Sequence, residues 1–367
     1  MDDLVKNSKK SIYCQIQFLI SIYTKDSSGS SSINSVDFFD IVRDSIIYFD
    51  KSEDEIKRHE KSNPYVARLM KMDVNGECFI DWQDDDLKVN DFVKDYKETD
   101  GIYDFSPILF VYQVRAQQKS NNNLCQKYRL LYGLMVFDQD SYQAMGEIFD
   151  DSGYAVKRNS TDGWDNSLSM KTIYGNSIVV IDDYLLCNTN QYNNNLYEIL
   201  NTILPWEIKI PFYITFICDN NNKDFAFRYK KIKNKIAKLR PKYFNKDSDF
   251  YGLIRVNIIE DKKNVFHDRV ILTNYCWISC GSGFDLYNEY NRAKHSTNVS
   301  ILYPFIQHHV KWAKETYLNF LCDSRDVYSD AIKGNNNWFE ETLFENRLYM
   351  MDSITEYLRA KVPHTYY

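Results

Sequence analysis

The stretch Phe266-His267-Asp268-Arg269-Val270-Ile271-Leu272-Thr273-Asn274, followed by Trp277-Ile278 and then Gly281-Ser282-Gly283-Phe284-Asp285, decides how the rest of the chain is read. Its apolar centre predicts a strand over 265–273. Strand residues two apart project to the same face, which sets His267 beside Arg269. An imidazole next to a guanidinium suits a phosphate group. Arginine supplies a permanent charge in a bidentate fork, and histidine donates a hydrogen bond or attacks phosphorus. The turn Gly281-Ser282-Gly283 is expected to present backbone N–H groups and a hydroxyl at the start of a following helix, where anions bind readily.

Upstream of this stretch, strand and helix patterns alternate. Ser177 to Ile181 is a short run rich in β-branched residues, as expected of a strand buried on both faces, and it ends in Asp182-Asp183-Tyr184. Asn193 to Leu204 has the spacing of a helix, with Leu196, Ile199, Leu200 and Ile203 on one stripe. A second strand is predicted from Pro211 to Cys218, a helix from Phe225 to Leu239, a third strand from Gly252 to Ile259, and a fifth from Cys276 to Cys280 after the motif strand. Asp182 and Asp183 end the first parallel strand, where sheets of this kind place functional groups; capping a helix or solvating a loop explains them equally well.

The motif resembles that of the phospholipase D superfamily: His-x-Lys, four residues, Asp, then a Gly/Ser-rich turn. Here the spacing is His267-x-Arg269, four residues, Asn274, then Gly281-Ser282-Gly283. A closer resemblance is to the phospholipase-D-like C-terminal domain of MIT-domain proteins, carried by His267-Asp268-Arg269, Trp277-Ile278 and Gly283-Phe284-Asp285. It covers roughly residues 170–310, and no MIT helical hairpin is recognisable upstream. The resemblance implies a mixed sheet flanked by helices and metal-independent phosphoryl chemistry. It also implies His267 as nucleophile, and Arg269, Asn274, Gly281, Ser282, Gly283, Asp182 and Asp183 around the ligand. The departures imply a degenerate site. Arg269 replaces the family's lysine, Asn274 replaces its aspartate, and a second His-x-Lys/Arg motif is missing. Catalysis would then require a homodimer joining two copies. The MIT-protein domains bind acidic lipids without catalysis, which keeps a lipid-surface or protein-interaction module open.

The remainder is ordinary globular sequence. Of 367 residues, 44% are hydrophobic and 26% charged, which excludes disorder along the whole chain. No apolar run is long enough to span a bilayer. A net charge of −6 excludes a uniformly basic coat protein but leaves room for a local basic patch. The eight cysteines are scattered without a CxxC pair, which points to reduced thiols in the cytoplasm and to neither metal nor cofactor. Lys6, Lys9 and Lys10 precede an apolar stretch interrupted by Gln15 and Gln17, which reads as a first strand over 12–24. Strands are also expected over 78–82, 107–114 and 128–137, with helices over 36–47 and 138–149 and a charged, solvated segment over 50–62.

Residues 1–150 thus read as an α+β N-terminal domain, 170–310 as the phospholipase-D-like domain, and 311–367 as a helical C-terminal extension. Within the second domain, 228–240 is strongly basic. Ile232, Ile236 and Leu239 form an apolar stripe, expected to pack inward, and Lys231, Lys235 and Lys238 lie beside it. A solvated surface helix explains such a run, and so does a track for a nucleic-acid backbone. The expected partner is nucleic acid in preference to an anionic membrane, with a homodimer or a partner protein besides. Composition and architecture together suggest a setting in prokaryotic anti-phage defence.

Overall fold

The computed structural model describes residues 10–27, 38–82, 108–112, 133, 135–138, 142, 152–161, 163–169, 175–182, 195–218, 225–261, 266, 268–288, 290–303, 316–317, 319–320, 323–324, 326–327 and 338–339. These build two sheets. The first contains β1 (Lys10–Cys14), β2 (Ser45–Phe49), β3 (Phe79–Asp81), β4 (Ile108–Phe110) and β5 (Met135–Phe137), in the order β3-β2-β1-β4-β5. Every pairing in it is parallel. Parallel strands need crossovers, and α1 (Ile16–Ser27), α2 (Phe38–Val42), α3 (Glu53–Glu60) and α4 (Pro64–Val74) lie between the first three strands.

The expected α+β unit is therefore corrected to an α/β unit with a parallel sheet. The difference begins at Cys14, where the first strand ends. Ile16–Ser27, expected to continue that strand, is a helix with Phe18, Leu19 and Ile22 buried. Its first amide, Ile16 N, donates to Asp50 Oδ1 at 2.8 Å, so a carboxylate at the end of β2 satisfies one of the donors every helix start leaves open. Ser45 to Phe49, partly assigned to a helix, is a strand, and α3 occupies the segment expected to be solvated. Only Ile56 of α3 is buried.

The second sheet contains β6 (Ser152–Val156), β7 (Ser177–Ile181), β8 (Phe212–Cys218), β9 (Ile254–Glu260), β10 (Val270–Thr273), β11 (Trp277–Cys280), β12 (Thr297–Leu302) and β13 (Trp338–Phe339). Their order is β13-β9-β8-β7-β10-β11-β12-β6. β7, β8 and β9 run parallel, and the other pairings are antiparallel. This is the expected mixed α/β architecture. β7 is buried at every position, and α5 (Gly163–Ser169), α6 (Asn195–Ile203) and α7 (Phe225–Leu239) accompany the parallel strands. Ile232, Ile236 and Leu239 of α7 are buried, so the stripe packs inward.

β6 and β13 lie outside 170–310 yet belong to this sheet, and β13 interrupts the segment expected to be helical from 338. No helix among the described residues is long and apolar enough to cross a membrane.

Candidate functional site

β10 runs antiparallel to β7 with Val270 opposite Ile181, and β11 runs antiparallel to β10 with Ser279 opposite Val270. Asp182 after β7, Arg269 before β10 and the turn after β11 therefore gather at one end of the sheet. It is the carboxyl end of the parallel strands, where open α/β sheets bind ligands. Asp182 is buried, and its Oδ2 accepts from Phe284 N at 3.0 Å. Gly283 has φ of +77°, and a Cβ there would lie 2.6 Å from Arg269 Cδ and 2.7 Å from Nη1. Only glycine lets the arginine lie over the turn. Burial pushes the Cys280 thiol up, Asp182 adds to this and Arg269 opposes it, so both charges act on the same spot.

The structure thus brings Arg269, Asp182 and the glycine turn together, while His267 and Asp183 lie outside the described residues. Three features depart from the sequence expectation. The motif strand starts at Val270, so Arg269 precedes it, whereas the expected strand began at 265.

Second, the turn has no amides to offer. Gly281 N donates to Asn298 O (3.3 Å), Ser282 N to Thr297 Oγ1 (3.1 Å), Gly283 N to Cys280 O (2.9 Å) and Phe284 N to Asp182 Oδ2 (3.0 Å). No helix follows. The chain is instead held by Asn195, whose Oδ1 accepts from Trp164 Nε1 and Tyr287 N and whose Nδ2 donates to Asp285 Oδ1 and Tyr287 O.

Third, Asn274 sits at the far end of the sheet. It is fully buried, and its Oδ1 accepts from Asn176 N and Ser177 N, each at 2.9 Å, while Nδ2 donates to Asn176 Oδ1 at 3.2 Å. Ser177 begins β7 and Asp182 follows its end, roughly 16 Å away at ~3.3 Å per residue. Asn274 fastens the start of β7.

The carboxyl end is also rich in acid. Asp261 is buried, its Oδ2 accepts from Phe266 N at 3.0 Å, and its Oδ1 has no hydrogen-bond partner. Burial raises the Asp323 carboxyl, and Asp326 and Asp261 raise it further. Tyr317 donates to Thr273 O at 2.6 Å, and Phe320 stacks on Phe266 at 5.8 Å, so the same segment covers the flank of the motif. No group of three His, Cys, Asp or Glu side chains among the described residues is arranged to hold a metal. The buried Asp182 beside the turn opposes a phosphate there, and the engaged turn amides cannot compensate.

A row of cations lies elsewhere, on α7. Lys231, Lys235 and Lys238 stand at i, i+4 and i+7, adjacent to the buried stripe, on one flank of the helix. Burial, then Lys231 and Lys238, push the Lys235 ammonium down to about 8. Lys233 is lowered as well, by burial and then by Arg255. Lys235 lies 5.5 Å from the ring centroid of Tyr197 on α6. Just past α7, Arg240 is buried beneath Trp206, its guanidinium carbon 3.6 Å from the ring centroid. Sequence reading passed over Arg240, Trp206 and Asn195. The available signal was Arg240-Pro241 after a helical run, a cation at a helix C-terminus.

No protein-family profile and no curated protein matches the chain. Among solved structures it is similar to Nuc from Salmonella typhimurium, a phospholipase D family member, at 12% identity over 53% of this chain and 100% of that one, with a TM-score of 0.28. It is also similar to TrmBL2, an archaeal chromatin protein with a novel mode of DNA binding, at 11% identity over 49% of this chain and 57% of that one, with a TM-score of 0.23.

Proposed function

We propose that the chain binds nucleic acid through the basic flank of α7 and does not cleave it. The observation that supports this is the Lys231, Lys235, Lys238 row on a helix anchored by Ile232, Ile236 and Leu239. A rise of ~1.5 Å per residue spaces these anchors about 6 Å and 4.5 Å apart, on an element that cannot rotate away. The acidic remainder of the chain acts weakly beyond a Debye length of ~8 Å, so a local row of cations attracts a polyanion despite the net charge of −6. Membrane docking fits less well, because the apolar stripe an interfacial helix would insert faces the core. Hydrolysis fits less well too, since the turn amides are engaged and Asn274 lies at the opposite end of the sheet.

Co-sedimentation tests the reading. The chain should pellet with DNA or RNA, increasingly less as salt rises, and not with vesicles containing anionic lipid. Charge reversal at Lys231, Lys235 and Lys238 to Glu should abolish binding while the circular dichroism spectrum stays unchanged. Vesicle binding without any nucleic-acid binding would replace this reading by the lipid-surface one.

A further inference from the structure

Two large aromatic side chains on the same side of the domain remain exposed. Trp206 is 62% exposed and Tyr197 is 42% exposed. An indole open to water forgoes the burial that large aromatics normally gain. Trp206 is nevertheless fixed. The Arg240 guanidinium lies 3.6 Å from its ring centroid, and that guanidinium is itself held by Pro205 O, Asn201 Oδ1, Asn201 O, Leu204 O and Leu239 O. One π-face of the indole rests on an immobile cation and the other is presented outward, already ordered.

Tyr197 lies within α6 and Trp206 three residues beyond its end, roughly 10 Å or more apart along the helix at ~1.5 Å per residue. The lysine row of α7 runs alongside, with Lys235 over the Tyr197 ring. The carboxylates closest in sequence are both occupied. Glu198 accepts from Trp164 N at 3.2 Å, and Glu207 lies 3.8 Å from Lys242.

We infer that this face takes single-stranded nucleic acid, with Trp206 and Tyr197 stacking unpaired bases while Lys231, Lys235 and Lys238 follow the backbone. The inference rests on the nucleic-acid reading above and names its substrate class. A duplex keeps its base faces stacked inside and offers a convex surface only its phosphates and groove edges. A single strand offers π-faces, which aromatic platforms beside a cationic track bind with little regard for sequence.

The test measures fluorescence anisotropy of a labelled oligothymidylate and of a labelled duplex of matched length, over a salt series. The wild type should favour the single strand about ten-fold or more. Trp206→Ala should weaken single-strand binding by about ten-fold and Tyr197→Ala by somewhat less, with duplex binding and the salt slope unchanged, because each removes a ring and no charge. Trp206→Phe should recover most of the loss, which separates stacking from any damage to the fold. Equal binding of single strand and duplex, with Trp206→Ala neutral, overturns the inference and leaves the nucleic-acid reading standing. Failure of the wild type to bind either probe overturns that reading itself.

Discussion

Replacing Arg240 should cost more than any other single change on the basic side of the domain, and the structure gives the size. The residue is 1% exposed, and all five of its N–H donors are used. Nε reaches Pro205 O (3.2 Å), Nη1 reaches Asn201 Oδ1 (3.1 Å) and Leu239 O (3.0 Å), and Nη2 reaches Asn201 O (2.7 Å) and Leu204 O (2.9 Å). Asn201 O lacks its usual helical donor because residue 205 is a proline with no N–H, and the guanidinium takes that place. In Arg240→Ala, the buried bonds to Leu204 O and Leu239 O leave carbonyls that water cannot reach, at ~1–3 kcal/mol each, while the three part-buried acceptors can be rehydrated. With the packing lost under Trp206, the total is roughly 4 kcal/mol. Arg240→Lys keeps the charge but offers three donors and no plane, so about half the loss should remain. Urea unfolding followed by tryptophan fluorescence reads this directly. With a slope of about 3 kcal/mol/M, the alanine midpoint falls by more than ~1 M. The emission of Trp206 should also shift to the red in both variants as the ring loses its seat. A lysine variant that unfolds together with the wild type would refute the claim that the fork geometry, and not the charge, holds these two helix ends.

Asn274→Ala should destabilise the chain by about 3 kcal/mol, because two buried amides lose their acceptor, and should leave oligonucleotide affinity unchanged; thermal unfolding and anisotropy together check both halves. Binding should weaken as pH rises through about 8, where Lys235 loses its proton, and Lys235→Met should remove that dependence. The same group sets a stability trend of known sign. Its folded value lies below the ~10.4 of an unfolded lysine, so between these the unfolded state binds more protons and stability rises with pH. A bound oligonucleotide should remain intact on a denaturing gel, with or without EDTA. Metal-independent cutting that disappears in His267→Ala would restore the phosphodiesterase alternative.

Much of the second sheet is legible in the sequence because burial there leaves no ambiguity. β7 and β8 are largely apolar runs broken only by Ser177 and Thr215, and α7 carries a 3.6-residue stripe between polar positions. The first sheet is harder to read. Residues 12–24 are rich in Ile, Tyr and Phe, which serve a strand as well as a buried helix, and only the inward set Phe18, Leu19 and Ile22 favours the helix. For α3 the signal is in the cap and not in hydrophobicity: Ser52 and Glu55 stand three apart, and Ser52 N donates to Glu55 Oε2. β6 reads Ser-Gly-Tyr-Ala-Val, a short sequence with small residues and little strand signal of its own, which pairs along the edge of β12. Arg240 was invisible as an individual because it ends a run of cations. Whether a cation faces solvent or a ring of carbonyls depends on Pro205 and the end of α6, thirty-five residues away in the chain.

The motif itself shows how one pattern of residues can serve a different task. In the phosphodiesterase reading, Asn274 is a depleted aspartate and the glycine turn an anion cradle. In the structure, an aspartate at 274 could accept from Asn176 N and Ser177 N but could not donate to Asn176 Oδ1, so the amide is the better fit for its position. Gly283 is required by the Arg269 side chain that lies against it, and the amide after it is taken by Asp182. Asn274, Gly283 and Asp182 each have a neighbour in the fold that accounts for their residue type. On the reading proposed above, a nucleic acid would be met by the lysine row and the two exposed aromatic rings, which lie on α6, α7 and the loop between them.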